Sequence, residues 1–221
     1  NVYESAVERI EAIFDDFENV YFSFSAGKDS GAMLHMALDI AKRKNRLPVN
    51  VLFIDLEAQY KATIDHAEEM MLRDDVKAYW ICLPMNLRNA VSAFQPQWVC
   101  WDPEEKDKWV REMPHHDCVI SDYNYFPFFR LGMEFEEFIV EFAKWFKEKN
   151  GDRKTACCVA IRTDESLNRF RTIRSMKKIR YKNLGYSTKL DEGIYNFYPV
   201  YDWRTEDVWT AIGRFGWSYN K

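Results

Sequence analysis

The sequence predicts an α/β protein with a doubly wound, mostly parallel sheet and an aromatic-rich insert. Apolar runs typical of buried strands occur at 20–24, 49–54 and 77–82, and segments with helical spacing of apolar residues follow the first two. Short connections between alternating strands and helices indicate parallel strands joined by right-handed crossovers. The carboxyl ends of such strands meet at one edge of the sheet, where ligands bind. We therefore expect functional residues directly after these strands.

The remaining elements are amphipathic helices and short strands. Helices are predicted at 2–17, from the end of the 25–30 loop to about 44, over about 58–73, at 134–149 and through 207–209; strands are predicted at 155–161 and 195–198. No repeat or low-complexity tract divides the chain. We therefore expect one domain over residues 1–221.

An insert is predicted at about 95–131, because this segment is too long and too aromatic for a plain connection. It would act as a lid or a partner-binding surface. Alternatively, it is a subdomain whose aromatic rings simply pack against one another, which is the favoured explanation for most of them.

Composition narrows the class of protein. The chain has 221 residues, 47% of them hydrophobic, so it can bury a sizeable core. Its net charge of −4 does not indicate general nucleic-acid binding. Because no apolar run approaches about 18 residues, no transmembrane helix is expected. Five cysteines without a disulfide-scaffold pattern predict reduced thiols and a cytoplasmic location.

A hexapeptide between the first predicted strand and its helix carries the main chemical signal. Its residues are Ser25, Ala26, Gly27, Lys28, Asp29 and Ser30. Small residues let backbone N–H groups approach a ligand, the helix N-terminus adds positive potential, and the lysine and serines add a cation and hydroxyl donors. This combination predicts an anion cradle, usually occupied by phosphate. An ordinary strand-to-helix turn is the alternative.

The hexapeptide is not a Walker A loop. That pattern requires Gly where Phe22 stands and Ser or Thr where Asp29 stands. The hexapeptide instead resembles the Ser-Gly-Gly-x-Asp-Ser PP-loop of the N-type ATP pyrophosphatases and the phosphoadenylyl-sulfate (PAPS) reductases. Ala26 replaces the first Gly of that motif, which is a mild departure.

A second polar group follows a later apolar run, at Arg162, Glu165 and Ser166. Arg162 stands at a predicted strand end, where its guanidinium can bind phosphate or sulfate through two N–H groups. Glu165 and Ser166 would begin a helix and either cap it or orient Arg162. A capping box alone would also explain these two residues.

These three residues resemble the Gly-x-Arg-x-x-Glu-Ser motif of PAPS reductases, with Ala160 in place of Gly. The segments 199–203 and 207–209 are similar to the Pro-x-x-Asp-Trp and Asp-Val-Trp stretches of the same family. The matches span residues 20–209 in order. The resemblance therefore implies an adenine-nucleotide alpha-hydrolase-like (Rossmann-like) fold for nearly the whole chain.

The resemblance also implies roles for individual residues. The 25–30 loop would hold the phosphates of ATP or PAPS, and Asp29 would hold Mg²⁺ if ATP is used. Asp55, after the second strand, would lie near the nucleoside. Reductases have Asp-Thr-Gly there, whereas this chain has Asp-Leu-Glu-Ala-Gln at 55–59, which leaves the placement of the substrate open.

The segment 153–189 is strongly basic, with eleven Lys or Arg residues and two acids. Arg169 and Arg171 would supply a second cationic site for the 3′-phosphate of PAPS. The run 169–189, together with the insert, would otherwise bind DNA or a partner protein. A solvated basic face is the remaining alternative.

The cysteines do not match the reductase pattern. PAPS reductases use a thiolate in a Glu-Cys-Gly-Leu-His tail, which does not occur before Lys221, so a cysteine beyond Lys221 would restore the reductase interpretation. Cys157 and Cys158 fall in a buried strand pattern, where thiols are usually inert. In the insert, Cys100 and Cys118 with His115 and His116 suggest zinc, but the spacing matches no standard site and plain thiols are favoured.

We therefore predict a PAPS-reductase-like protein of sulfur metabolism that binds an adenine nucleotide and acts on its phosphate or phosphosulfate group. The chain looks most like a branch linked to prophage gene regulation, the co-activators of immunoglobulin-binding protein expression. One alternative is a regulatory module that keeps the nucleotide site and uses its basic segment on DNA or a protein. A second is an ATP-pyrophosphatase sulfurtransferase, as in DNA phosphorothioation.

Overall fold

A computed structural model describes residues 1–88, 94, 96–175 and 178–221. The strands are β1 (Asn19–Phe24), β2 (Val49–Ile54), β3 (Val76–Ile81), β4 (Asn86–Arg88), β5 (Gln97–Val99), β6 (Val119–Ile120), β7 (Thr155–Val159), β8 (Ser187–Asp191) and β9 (Ile194–Phe197). The helices are α1 (Val2–Asp16), α2 (Lys28–Arg43), α3 (Lys61–Met71), α4 (Phe135–Lys149), α5 (Leu167–Arg174) and α6 (Thr205–Phe215). Each predicted strand and helix is confirmed, with ends that shift by a few residues.

Seven strands form one sheet in the order β6-β3-β2-β1-β7-β9-β8. Neighbouring strands are parallel except β8, which runs antiparallel to β9 at one edge. The strand β1 lies at the centre, between β2 and β7. The predicted doubly wound, mostly parallel sheet is therefore confirmed.

Helices cover both faces of this sheet. Adjacent residues of a strand point to opposite faces, and the ring of Phe22 packs against Phe14 of α1 while the ring of Tyr21 packs against Phe142 and Phe146 of α4. Both β1 residues are fully buried. The apolar run that precedes the hexapeptide is therefore buried on both sides, as its composition predicts.

Part of the segment 95–131 belongs to the main sheet. Its strand β6 extends the sheet beyond β3, and its strand β5 forms a separate two-stranded hairpin with β4. Trp101 is 1% exposed, so this ring packs in the core, as the packing alternative for the insert predicts. The strands β4, β5 and β6 have three, three and two residues, which is too few for a periodic pattern, and they are not among the predicted elements. The strand β8 was also not predicted, because its sequence Ser-Thr-Lys-Leu-Asp has no apolar run.

Among the helices that the structure describes, none is long and apolar enough to cross a membrane.

Candidate functional site

The hexapeptide forms a tight turn at the carboxyl end of β1. Ala26 takes a left-handed backbone conformation, with a φ of 56°, and Gly27 caps the N-terminus of α2. The Ser30 hydroxyl donates to the Gly27 carbonyl (3.1 Å) and accepts from the Ser25 backbone N–H (3.2 Å). It also lies 3.0 Å from Ser25 Oγ. The buried Ser30 hydroxyl therefore stabilises the turn through contacts with both Ser25 and Gly27.

The turn leaves polar groups for a ligand. The first N–H groups of a helix have no acceptor within the helix, and here they belong to the first residues of α2 after Gly27. A Cβ at Gly27 would meet only Ser25 Oγ, at 3.4 Å, so the backbone is open at this point. Together with the helix dipole, these N–H groups favour an anion.

Asp29 lies between two cations. Its Oδ2 accepts a hydrogen bond from Lys28 Nζ at 2.8 Å, and its Oδ1 accepts one from Arg162 Nε at 2.7 Å. The Arg162 side chain is 4% exposed and that of Asp29 is 15% exposed. Arg162 Nη1 also lies 3.8 Å from Asp164 Oδ2, so two cations and two carboxylates form one charged cluster beside the turn.

Arg162 brings the three motifs together. Its guanidinium lies 3.4 Å from the Trp203 carbonyl and 3.4 Å from Thr205 Oγ1, in addition to its bond with Asp29. Its backbone N–H donates to Glu165 Oε2 at 3.1 Å. The turn after β1, the loop after β7 and the start of α6 thus meet at one side chain, although they are far apart in the sequence.

This meeting point is the topological switch point of the sheet. The chain leaves β1 towards β2 on one side, whereas β7 lies on the other side of β1. Parallel sheets bind ligands in the crevice at such a point, outside the carboxyl ends of the strands. The geometry therefore favours a ligand between the 25–30 turn and the 160–166 loop.

One family matches this arrangement. The family model of the phosphoadenosine phosphosulfate reductase domain matches residues 19–221, which include all three motifs. The chain belongs to the phosphoadenosine phosphosulfate reductase domain family.

The chain is also similar to one curated protein and to solved structures. It is 40% identical over 215 residues to the protein of Escherichia coli (strain K12) named "Uncharacterized protein YbdN", which covers 95% of this chain and 51% of that protein. The chain thus spans about half the length of this relative. Two solved structures share the fold at 15% identity: a phosphoadenylyl-sulfate (PAPS) reductase from Candida auris in a phosphate complex and a Candida glabrata FMN adenylyltransferase. The reductase has a TM-score of 0.50, and the match covers 98% of this chain and 82% of the reductase chain. The adenylyltransferase has a TM-score of 0.51, and the match covers 94% of this chain and 53% of the adenylyltransferase chain.

The other residues of the second family motif have structural partners. Ser166 caps α5, because its hydroxyl accepts from the Arg169 N–H at 3.2 Å. Arg169 Nε lies 3.6 Å from Glu165 Oε2. The structure does not bring Arg169 or Arg171 into contact with the 25–30 turn, and both side chains are exposed. Their role as phosphate ligands stays a prediction.

Asp55 follows β2 and lies at the same edge of the sheet as the 25–30 turn, but its side chain is fully buried. Its carboxylate accepts from the Glu57 N–H (2.9 Å) and Trp80 Nε1 (3.0 Å), and it forms an ion pair with Arg111. Its carbonyl accepts from Trp101 Nε1 at 2.8 Å. Asp55 therefore holds Trp101 and Arg111 of the segment 95–131 in place, and its contact with a nucleoside stays a prediction.

Glu57 is the residue at this edge that the sequence interpretation missed. Its carboxylate accepts from the N–H groups of Trp101 (2.7 Å) and Val110 (3.1 Å) while it is 5% exposed. Both Glu57 and Trp101 have positive φ angles, 62° and 53°. The sequence did contain a signal for Glu57: residues 55–59 depart from the Asp-Thr-Gly of the reductases, and this departure places a second acid, Glu57, close after a buried strand.

The thiols of this family member are protonated at neutral pH. Burial raises the pKa of Cys100 to about 11 and that of Cys157 to about 12, and it also raises the pKa of Cys82 and Cys158 well above the usual value of a thiol. Partial burial also raises the pKa of Cys118. A thiolate-dependent reaction would therefore need a thiol other than these five.

The donor set does not fit a metal ion as the side chains stand. Mg²⁺ is usually held through one or two carboxylates and substrate phosphates, whereas both Asp29 oxygens already bind cations. In the described part of the chain, no three His, Cys, Asp or Glu side chains converge as ligands. Cys100 Sγ lies 3.5 Å from the Leu83 carbonyl, apart from the surface pocket that His115, His116 and Cys118 line. The zinc alternative therefore has no support.

A cavity of about 780 Å³ opens on the α4 face of the sheet. Its lining includes the apolar side chains of Leu52 and Val159 and the hydroxyl-bearing side chains of Tyr21 and Ser23. It reaches Ile161, the residue before Arg162. The Tyr21 hydroxyl is buried without a described hydrogen-bond partner. The cavity is therefore lined by residues that are close in sequence to both sides of the crevice, and it offers polar groups to a bound molecule.

Proposed function

We propose that this domain binds an adenine nucleotide, PAPS or ATP, and acts on its phosphosulfate or phosphate anhydride. The observation that best supports this proposal is the cluster of Lys28, Asp29 and Arg162 at the switch point, beside the N-terminus of α2, whose first N–H groups have no acceptor within the helix. The N–H groups and Lys28 would bind the 5′-phosphates, while Arg162 orients Asp29 and adds positive charge.

The nucleoside would extend from the turn into the cavity on the α4 face. Ser23 and Ile161 link the two, because they line the cavity and stand two residues before Ser25 and one before Arg162. A volume of about 780 Å³ is in the range of small-molecule sites. The apolar side chains of the cavity would contact the base, and its hydroxyl groups would supply hydrogen bonds.

The state of the thiols favours transfer over reduction by this domain alone. A reductase-type step needs a thiolate to attack sulfur, and burial keeps all five thiols of residues 1–221 protonated. In the ATP-pyrophosphatase alternative, the nucleophile belongs to an acceptor and pyrophosphate leaves. Five unpaired thiols also fit a reducing, cytoplasmic compartment. The link to prophage gene regulation stays a prediction.

Calorimetric titration tests the binding site. ATP and adenosine 3′,5′-bisphosphate would each be titrated into the wild type, Lys28→Ala and Lys42→Ala. Lys42 is the control, since it is exposed in the last turn of the same helix. Lys28→Ala should lose about 1.5–3 kcal/mol of binding free energy, the range for a charged hydrogen bond, while Lys42→Ala should match the wild type. Equal affinity of all three proteins would contradict the proposal.

A turnover assay separates the two substrates. Pyrophosphate released from ATP in the presence of candidate acceptors would support the transferase, and sulfite released from PAPS with an added thiol would support the reductase. Neither product, with nucleotide demonstrably bound, would show that the site binds without acting on the anhydride.

A further inference from the structure

Six cations of the basic segment 153–189 have a hydrogen-bond or ion-pair partner in the described part of the chain. Those with partners are Arg153 with Glu18, Lys154 with the Tyr181 hydroxyl, Arg162 with Asp29, Arg180 with the carbonyls of Ile173 and Gly185, Lys182 with Asp16, and Lys189 with Glu192. Among the described residues, Arg171 and Lys178 have no such partner, and Arg169 has only the 3.6 Å contact with Glu165. Among the described residues of this segment, the cations without a close partner therefore lie on α5 and shortly after it.

Apolar side chains are exposed between these cations. Leu167 is 61% exposed, Phe170 is 43% exposed and Ile179 is 67% exposed. Leu167 and Phe170 are three residues apart in α5, so they share one side of the helix, whereas Ile173 is buried. We call the exposed set of Leu167, Arg169, Phe170, Arg171, Lys178 and Ile179 the α5 surface.

The α5 surface adjoins the crevice at the switch point. The helix begins at its cap Ser166, four residues after Arg162, and Thr172, Lys178 and Ile179 line the cavity on the α4 face. A molecule on this surface would therefore lie beside the proposed nucleotide.

We propose that the α5 surface binds single-stranded nucleic acid. An exposed phenylalanine ring between two arginines in sequence offers a stacking platform with phosphate-binding groups on both sides. A single strand exposes both its bases and its phosphates, whereas a duplex hides the base faces. Opposite charge selects a polyanion over a neutral or basic partner. This binding does not require the proposed nucleotide reaction.

Fluorescence anisotropy tests the proposal with labelled, mixed-sequence single-stranded DNA and RNA. The proteins are the wild type, Arg171→Glu, Phe170→Ala and the control Lys77→Glu, which reverses an exposed charge at the start of β3, near the opposite edge of the sheet. We expect binding to weaken as salt rises from about 50 to 200 mM, with a logarithmic slope that falls by about 0.7 when Arg171→Glu removes one phosphate-binding group. Phe170→Ala should bind about fivefold more weakly or worse, and Lys77→Glu should match the wild type.

Three outcomes would overturn the proposal: no binding at about 50 mM salt, equal losses of affinity in Arg171→Glu and Lys77→Glu, or tighter binding to phosphatidylserine vesicles or an acidic protein than to either single strand. Duplex binding that equals single-strand binding and is insensitive to Phe170→Ala would overturn the stacking role. Calorimetry with ATP on Phe170→Ala keeps the two proposals separate, because this variant should bind ATP as tightly as the wild type does. If the wild type binds nucleic acid but neither ATP nor adenosine 3′,5′-bisphosphate, the α5 surface is supported and the nucleotide site is contradicted. If it binds one of these nucleotides but no nucleic acid, the nucleotide site is supported and the α5 surface is contradicted.

Discussion

The buried ion pair between Asp29 and Arg162 should hold the candidate site together before any ligand binds. The perturbation is a double-mutant cycle of Asp29→Asn, Arg162→Met and the double variant. The Nε–Oδ1 distance of 2.7 Å and side-chain exposures of 4% and 15% indicate a charge-assisted hydrogen bond largely shielded from water. Such bonds contribute about 1.5–3 kcal/mol.

The two single variants should differ in their cost. Removing one partner of a buried pair costs about 3–5 kcal/mol, but Asp29 keeps Lys28 when Arg162 is replaced, so we expect about 3 kcal/mol for Arg162→Met. Asp29→Asn keeps an acceptor oxygen for Arg162 and should cost about 1–2 kcal/mol. The coupling free energy should be about 2 kcal/mol.

Urea unfolding without nucleotide measures the free energy of unfolding of each variant. The control cycle uses the pair of Arg130 and Glu137, whose side chains are 59% and 41% exposed, and should give about 0.2–1 kcal/mol. A coupling of the Asp29 pair below about 0.5 kcal/mol, which is typical of independent sites, would refute the reasoning.

Four other changes test neighbouring parts of the molecule. Gly27→Ala should keep the free energy of unfolding within about 0.5 kcal/mol, because its φ of −86° suits alanine, yet lower nucleotide affinity in calorimetry; unchanged affinity would argue against the cradle. Glu57→Ala should lower the free energy of unfolding by about 2–4 kcal/mol, since two buried N–H groups lose their acceptor, and a decrease below about 1 kcal/mol in urea would contradict this. Burial lowers the pKa of His35 to about 4 in the folded protein. As the pH falls from 6.5 towards 4, His35 therefore binds a proton in the unfolded chain but not in the folded one, which favours unfolding. Between about pH 7 and pH 5 the free energy of unfolding, measured in urea, should fall more for the wild type than for His35→Asn, and equal decreases would contradict this. Adenosine 3′,5′-bisphosphate should bind more tightly than adenosine 5′-phosphate, and Arg169→Ala or Arg171→Ala should each remove about 1 kcal/mol of that preference; equal affinities of the two nucleotides in calorimetry would favour ATP over PAPS.

Local sequence patterns were enough to predict the parallel sheet and the position of the 25–30 turn. The apolar runs of β1, β2, β3 and β7 are visible in the sequence because most residues of each strand are buried, on both faces of the sheet. Functional residues follow the strands because parallel strands end at one edge. The family motifs could therefore be assigned to that edge from the sequence alone.

Contacts between distant residues could not be predicted in this way. Arg162 and Asp29 are 133 residues apart, and Glu57 meets Trp101 and Val110 across more than forty. No periodic signal records such pairings, which depend on how the insert folds back on β2. For the same reason the basic count of the segment 153–189 overstates its available charge, because distant acids such as Glu18 and Asp16 neutralise part of it.

A crystal structure of the chain with ATP or adenosine 3′,5′-bisphosphate tests the central claim most directly. The proposal predicts that the 5′-phosphates lie within hydrogen-bond distance of Lys28 Nζ and the first N–H groups of α2, and that the nucleoside points into the cavity beside Ser23 and Ile161. A nucleotide bound elsewhere, such as the pocket between α3 and α6 beside His66, with the 25–30 turn unoccupied, would contradict it.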